Sequence, residues 1–187
     1  MATSIDLKSL EGLQAVINRF IAAHEQNDTE TQLAILRRFA AFEKARYAVK
    51  VAKLAELKRL MAVTEAPDDD AARVEKVIAA FEFCAELDRL ASDELDDLET
   101  QHRAVDSMHK LAAELDVIPP EDRGALAVLL DNANLAVRAS AGAFVWRIMP
   151  ERALPVLREV HRAARGTSAG FTAMWALSAH EMETKGD

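Results

Sequence analysis

The strongest chemical pattern in this sequence is Glu99-x-x-His102 followed by Asp106-x-x-His109. A carboxylate and an imidazole three residues apart share one face of a helix, and in carboxylate-bridged bundles such pairs ligate a di-iron centre. Those centres take two such motifs from different helices, plus a glutamate from each of two more. Here both motifs fall on one predicted helix, one heptad apart, and one helix cannot enclose an ion. At 100° per residue, His102 and His109 lie beside the Leu98 and Val105 stripe, while Glu99 and Asp106 lean towards solvent. That is the pattern of two histidines at a core boundary, and no metal is expected. Cys84, the single cysteine, lies among Phe83, Ala85 and Leu87 and reads as a small core residue rather than a nucleophile. It cannot form an internal disulfide. His24 ends the apolar stripe of the first predicted helix and His161 lies in a later one. Neither has a serine or cysteine placed for a relay. The six glycines are scattered, so no phosphate-cradling loop is present. No catalytic residue and no cofactor are expected, and the chain reads as a non-enzymatic protein.

Charge is more informative. The formal net charge is -8, and it is unevenly placed. Residues 67–123 carry 6 basic and 17 acidic side chains, against 10 and 8 in residues 1–66 and 7 and 6 in residues 124–187. The acidity therefore belongs to the middle third. Phosphate contacts need clustered lysine and arginine, so the balance argues against nucleic acid and for a basic partner. The exception is a basic stretch of Arg37, Arg38, Lys44, Arg46, Lys50, Lys53, Lys58 and Arg59, interrupted by Glu43 and Glu56. A nucleic-acid-binding protein using residues 37–59 is the alternative reading. If that stretch pairs antiparallel with the next helix through Pro67, Lys58 comes near Glu75, Lys50 near Glu82, Arg46 near Glu86 and Arg37 near Asp96. Such surface pairs contribute ~0.2–1 kcal/mol each. They leave acids unpaired between Asp88 and Glu99.

The elements that must position these groups are helices. The chain has 36 alanines and 21 leucines against 6 glycines, 5 prolines and 10 aromatics, a composition of strong helix formers with few breakers. Leu10, Leu13, Val16, Ile17, Phe20, Ile21 and His24 predict a first helix over 7–26. A turn at Asn27-Asp28 follows, with Asp28 or Thr29 as N-cap. A second helix spans 30–63, with Leu33, Leu36, Ala40, Tyr47, Leu54, Leu57 and Met61 inward. After Pro67, Asp68 to Asp70 put negative charge at the positive end of a third helix. Unbroken to Asp116 it would be about 70 Å long, although Ser92 before Asp93-Glu94 marks a second N-cap and a break near Ala91. Pro119-Pro120 is the clearest boundary. Shorter helices follow over 121–130, 135–149, 151–165 and 169–181, with Asn134 and Ser168 as caps. An internal echo relates Val16-Ile17-x-x-Phe20 to Val77-Ile78-x-x-Phe81. Phe144, Trp146, Phe171 and Trp175 are expected to supply core bulk. No apolar run approaches the ~18 residues of a membrane span, and the opening residues lack the pattern of a signal peptide. A cytoplasmic protein without a membrane partner is expected.

The segment from Asp131 to Val160, with Asp131, Val137-Arg138, Ala141, Pro150 and Leu157, resembles a HEAT repeat. Residues 74–179 also resemble a small bacterial HEAT-like family catalogued as domain of unknown function 2019. That family carries a pattern like Asn-Arg-Leu-Phe-Asp-Glu-Met, and this chain has His102, Arg103, Asp106 and Met108 at that place. The arginine, aspartate and methionine agree, and His102 stands where the family usually has asparagine. Residues 1–66 fall outside the match. The resemblance implies an all-α fold, offers no catalytic residues, and leads towards immunity proteins encoded beside toxins.

The expected architecture is all-α: an N-terminal long helical hairpin, residues 1–66, packed on a HEAT-like right-handed stack of short antiparallel helices within residues 67–187. In that stack Arg138 is expected to pair with Asp131. The expected function is a protein-binding module whose acidic face, Asp88, Asp93, Glu94, Asp96, Asp97 and Glu99, receives a basic partner such as a nuclease-like toxin.

Overall fold

The computed structural model describes residues 10–64, 69–118 and 122–185. They form seven α-helices: α1 (Leu10–Glu25), α2 (Thr29–Thr64), α3 (Asp70–Arg89), α4 (Leu98–Leu115), α5 (Leu135–Val145), α6 (Pro150–Ala163) and α7 (Ser168–Lys185). A π-helical turn, Leu90–Leu95, joins α3 to α4, and a 3₁₀ segment, Asp122–Asp131, precedes α5. Among the described residues there is no strand. The all-α expectation holds. The boundaries expected at Pro67 and at Pro119-Pro120 lie outside the described residues.

The caps explain where the helices begin. Asp28 accepts the Thr31 backbone N–H at 3.0 Å and so opens α2, after Asn27 turns the chain in the left-handed region at φ 55°. Asp69 does the same for α3, accepting from Ala72 at 2.8 Å, and Asn134 for α5, accepting from Ala136 at 3.0 Å. Each side-chain oxygen satisfies a backbone donor that the first helical turn leaves unpaired.

The chain divides into two compact units, residues 1–52 and residues 53–187. The second therefore begins inside α2 rather than at the 66/67 boundary expected from the sequence. The cause is packing: Leu57 is buried in the second unit's core, with Leu60 and Met61 against it, and Lys53 Nζ lies 5.0 Å from the centre of the Phe83 ring. In the first unit, Val16, Ala23 and Ile35 are buried, while Ile17, Ile21, Leu36 and Phe39 stay about half exposed. These residues, with Val16, Phe20 and Ile35, line an apolar groove of about 410 Å³. Leu33 and Tyr47, expected inward, are exposed as well. Two helices alone offer too little apolar surface to enclose every side chain of their stripes.

In the second unit the long third helix does not run unbroken. It ends at Arg89, passes through the π turn, and α4 returns antiparallel to α3, so that Arg73 at the start of α3 pairs with Glu114 at the end of α4. Phe81, Cys84, Ala85 and Leu87 from α3 and Ala104, Met108, Leu111 and Leu115 from α4 are buried between them. The cap of α4 is Asp97, not Ser92: its carboxylate accepts from the Thr100 N–H at 3.2 Å and from the Thr100 hydroxyl at 2.9 Å.

Helix α5 is the centre of this unit. Ala136, Val137, Ala139, Ser140, Ala141, Gly142 and Val145 are all buried, which marks a helix enclosed on every side. Gly142 permits this closeness to α6, since a Cβ there would lie 2.9 Å from Leu157 Cδ2. Arg138 reaches across to Glu159 on α6 at 2.9 Å. The partner expected for it, Asp131, is not the one it takes, because its side chain crosses to the neighbouring helix. Asn132 and Asn134, in the turn before α5, donate to Glu82 at 2.6 Å and to Glu86 at 3.5 Å on α3.

Helix α7 reverses the expectation for its aromatics. The stripe it buries is Ala169, Gly170, Ala173 and Ala176, so Phe171 and Trp175 face away from the core and are 61 % and 68 % exposed. Small residues won the packed side because the α6–α7 connection brings the two backbones together.

Candidate functional site

The acidic positions singled out from the sequence all belong to the turn between α3 and α4 or its flanks, and most are engaged there. Asp96 holds the left-handed conformation, φ 49° and ψ 49°, that ends the π turn, a conformation aspartate tolerates better than most residues. Asp97 caps α4. Glu94 receives Arg89 at 2.9 Å, and Glu99 receives Arg103 at 2.6 Å one turn along α4. Asp93 reaches to the start of α7, where its two oxygens accept from the Ser168 backbone N–H at 2.9 Å and from the Ser168 hydroxyl at 3.1 Å. A carboxylate at a helix N-terminus meets both orphan donors and the positive end of the dipole. Ser168, expected to cap α7, is instead a donor to Asp93. The capping oxygen is that of Thr167, which accepts from the Gly170 N–H at 3.4 Å.

Asp88 departs furthest from the exposed acidic face. It lies in the last turn of α3 and is only 8 % exposed. One carboxylate oxygen, Oδ1, has no hydrogen-bond partner, and neither has the nearby Ser92 hydroxyl, both atoms being buried. Burial pushes the Asp88 carboxyl above its ordinary range, with the Asp93 charge adding to the shift, while the side chains of Gln101 and Ser92 work against it. A lone carboxylate in such a place costs stability whenever it is ionised.

Asp88, Ser92 and Gln101 belong to an open cavity of about 780 Å³ that also has Trp146, Phe171 and Trp175 on its walls. Phe171 and Trp175 stand one turn apart on α7, so both rings lie on the same helix face. Thr167 and Ser168 also line the cavity. Among the described residues, no lysine or arginine lines this cavity, and the other titratable groups on it are Asp93 and His109. It is therefore an electronegative, aromatic-walled site in which Asp88 Oδ1 and Ser92 Oγ make no hydrogen bond, although the Ser92 and Gln101 side chains lie near enough to favour the Asp88 charge. Sequence reasoning identified Asp88 and Asp93 but placed Asp88 at the surface, and it did not single out Gln101. Phe171 and Trp175, expected to supply core bulk, are exposed on this cavity, and their four-residue spacing is the signal that could have found them as one face.

The metal and nucleophile patterns come apart in three dimensions. His102 and His109 are both exposed, and the His109 ring lies tilted at 53° against Phe144 with centroids 4.9 Å apart. Among the described residues, no group of three His, Cys, Asp or Glu side chains is arranged to hold a metal ion. Cys84 is buried, and burial pushes its thiol up to about 12, leaving little thiolate at neutral pH.

The environment of Asp88 sets a pH dependence. With its folded-state pKa raised, this residue favours the folded state least when ionised. Its contribution is therefore lost as pH rises from the ordinary carboxylate range through the higher folded value. Asp88→Asn is expected to stabilise the protein at pH 7 by about 1 kcal/mol, roughly 2–4 °C in Tm. The gain should shrink to nothing below pH 3.8, where the carboxyl is protonated in both states. Thermal melts across pH check this, and a variant less stable than the parent at pH 7 would contradict the burial argument.

Among the described residues, no helix is long and apolar enough to cross a membrane. No protein-family model matches the chain, and no curated protein matches it. Among solved structures it is similar to the crystal structure of the protein RPA1889 from Rhodopseudomonas palustris CGA009, at 20% identity and a TM-score of 0.52, over 62% of this chain and 95% of that one. That likeness is one of fold, and it places this chain among all-α proteins.

Proposed function

We propose that this protein is a non-enzymatic binding module that docks a basic protein partner on the cavity between the α3–α4 turn and α7. The observation that carries the reading is the pair of exposed aromatics, Phe171 and Trp175, beside an acid-lined cavity that no lysine or arginine of the described residues enters. Exposed aromatic side chains beside uncompensated charge are what hot spots of protein interfaces are made of. The middle third, with its surplus of acids, adds a field that steers a cationic partner towards this end of the molecule. An immunity protein that neutralises a nuclease-like toxin is the sharpest form of this proposal, in a cytoplasmic setting. The HEAT-like resemblance of residues 131–160 belongs to it too, supported by a capped α5 followed by α6 opening at Pro150. Binding of nucleic acid through α2 is the weaker reading, because Arg46 and Arg59 already engage Glu43 and Glu56 within that helix.

The test is site-specific photo-crosslinking. A benzophenone amino acid placed at Trp175 in the native host should trap a protein of high pI, and the complex should dissociate as salt rises. A crosslink to nucleic acid, or to an acidic protein with salt-independent binding, would overturn the proposal.

A further inference from the structure

We infer that the Asp88 end of this cavity is an arginine pocket: it receives a guanidinium from the docked partner, which donates to the Asp88 carboxylate beside Ser92 while its plane lies against the Phe171 and Trp175 rings. The inference rests on the protein-binding reading above and adds the chemistry of the contact. It begins with the two orphan oxygens. Buried polar atoms in folded proteins almost always have partners. Asp88 Oδ1 and Ser92 Oγ are buried and have none, and both residues line a cavity open to solvent. The neighbouring Ser92 and Gln101 side chains favour the Asp88 charge, yet they leave Oδ1 without a hydrogen bond, and a further donor is what is missing. Asp88 as an ionised carboxylate can only accept, and Ser92 can accept as well as donate.

The charge of the missing group follows from the lining. Asp88 and Asp93 both contribute to the cavity, and no lysine or arginine among the described residues balances them there. Asp93 is already engaged by Ser168 at the start of α7, and the remaining titratable group, His109, packs its ring on Phe144. The unmet demand is for one cation at Asp88. Its shape follows from the walls. A guanidinium is planar, carries five N–H donors, is weakly hydrated and stacks on aromatic faces, whereas an ammonium is a compact, strongly hydrated point charge. A cavity lined by the Asp88 carboxylate and the exposed Phe171 and Trp175 rings matches the planar group. The same pocket gives the Asp88 carboxylate a use where its ionised form costs the free protein stability: bound guanidinium supplies a further donor and favours the charged state.

The probe is the capped tripeptide acetyl-Ala-Arg-Ala-amide, titrated into the ¹⁵N-labelled full chain, with the citrulline tripeptide as its neutral isostere. The expected result is saturable binding, of about millimolar affinity for so small a ligand, that moves the Trp175 indole N–H and the Thr167 and Ser168 amides. Asp88→Asn and the citrulline substitution should each weaken it at least tenfold, and Ser92→Ala should weaken it less. Asp88→Asn is expected to fold, and its melting curve checks that its loss is one of binding. Equal binding of the arginine and citrulline peptides, unchanged binding by Asp88→Asn, or no saturable shift overturns the pocket. The two proposals fail separately. Crosslinking of a basic partner at Trp175 that persists in Asp88→Asn rejects the pocket and keeps the docking face. Arginine-peptide binding lost in Asp88→Asn, without any basic partner at Trp175, keeps the pocket chemistry and rejects the protein partner.

Discussion

Replacing Phe81 by alanine is expected to cost the second unit about 3–5 kcal/mol. Phe81 is fully buried, and its ring meets Phe144 edge-on, with centroids 5.1 Å apart and planes at 87°. The substitution removes the apolar transfer energy of the ring and an aromatic pair contributing ~0.5–1.5 kcal/mol beyond it. It also leaves a void between α3 and α5, which the surrounding helices can fill only in part. Urea denaturation of the full chain, followed by tryptophan fluorescence, reads this unit, because both tryptophans, Trp146 and Trp175, lie within residues 53–187. Phe81→Leu should recover most of the loss. A midpoint in Phe81→Ala within error of the parent would mean that the α3–α5 contact is not part of the cooperative core.

Gly170→Ala is expected to be the second most damaging substitution, costing about 3 kcal/mol. On propensity alone, alanine in a helix is favoured over glycine by about 1 kcal/mol, so the expected sign is opposite to that of the helix scale. The reason is steric. A Cβ on Gly170 would collide with the carbonyl oxygen of Ala164 and lie 2.9 Å from its carbon. The obstruction is backbone and cannot swing aside as a side-chain methyl can. To accept it, α7 must move away from the end of α6, which disturbs the buried Ala169, Ala173 and Ala176 stripe. Gly166→Ala is the control: no atom lies within 4 Å of its Cβ position, and its φ of +81° supplies only the ~1–2 kcal/mol of left-handed strain. A Gly170→Ala protein as stable as the parent in the same urea assay would show that the α6–α7 connection is loose.

Much of the helical framework was legible in the residues. The end of α1, the α2 limits, the cap at Asp28, the Asn134 cap of α5 and the start of α6 within a residue of the expected Glu151 all follow from local chemistry, which acts over three or four residues and survives any tertiary arrangement. The break near Ala91 was legible too. Its geometry was not, because a π turn and a left-handed Asp96 depend on α4 folding back to bury Ala104, Met108 and Leu111 against α3. Counted as charges alone, the residues of the acidic run describe a surface. In the folded chain several of them are turn and capping residues, and a carboxylate meets the same sequence pattern whether it caps a helix or faces a partner.

What the sequence by itself determined is therefore the helical class, most helix limits, the acidic middle third and the burial of Cys84, since each depends on propensity, periodicity or composition. Only the tertiary structure decided that Asp88 is buried while Trp175 is exposed. Both outcomes turn on which face each helix presents to its neighbours: α7 presents its alanines and Gly170 to the core because the connection from α6 forces close backbone approach, and Asp88 is enclosed because the chain reverses immediately after it.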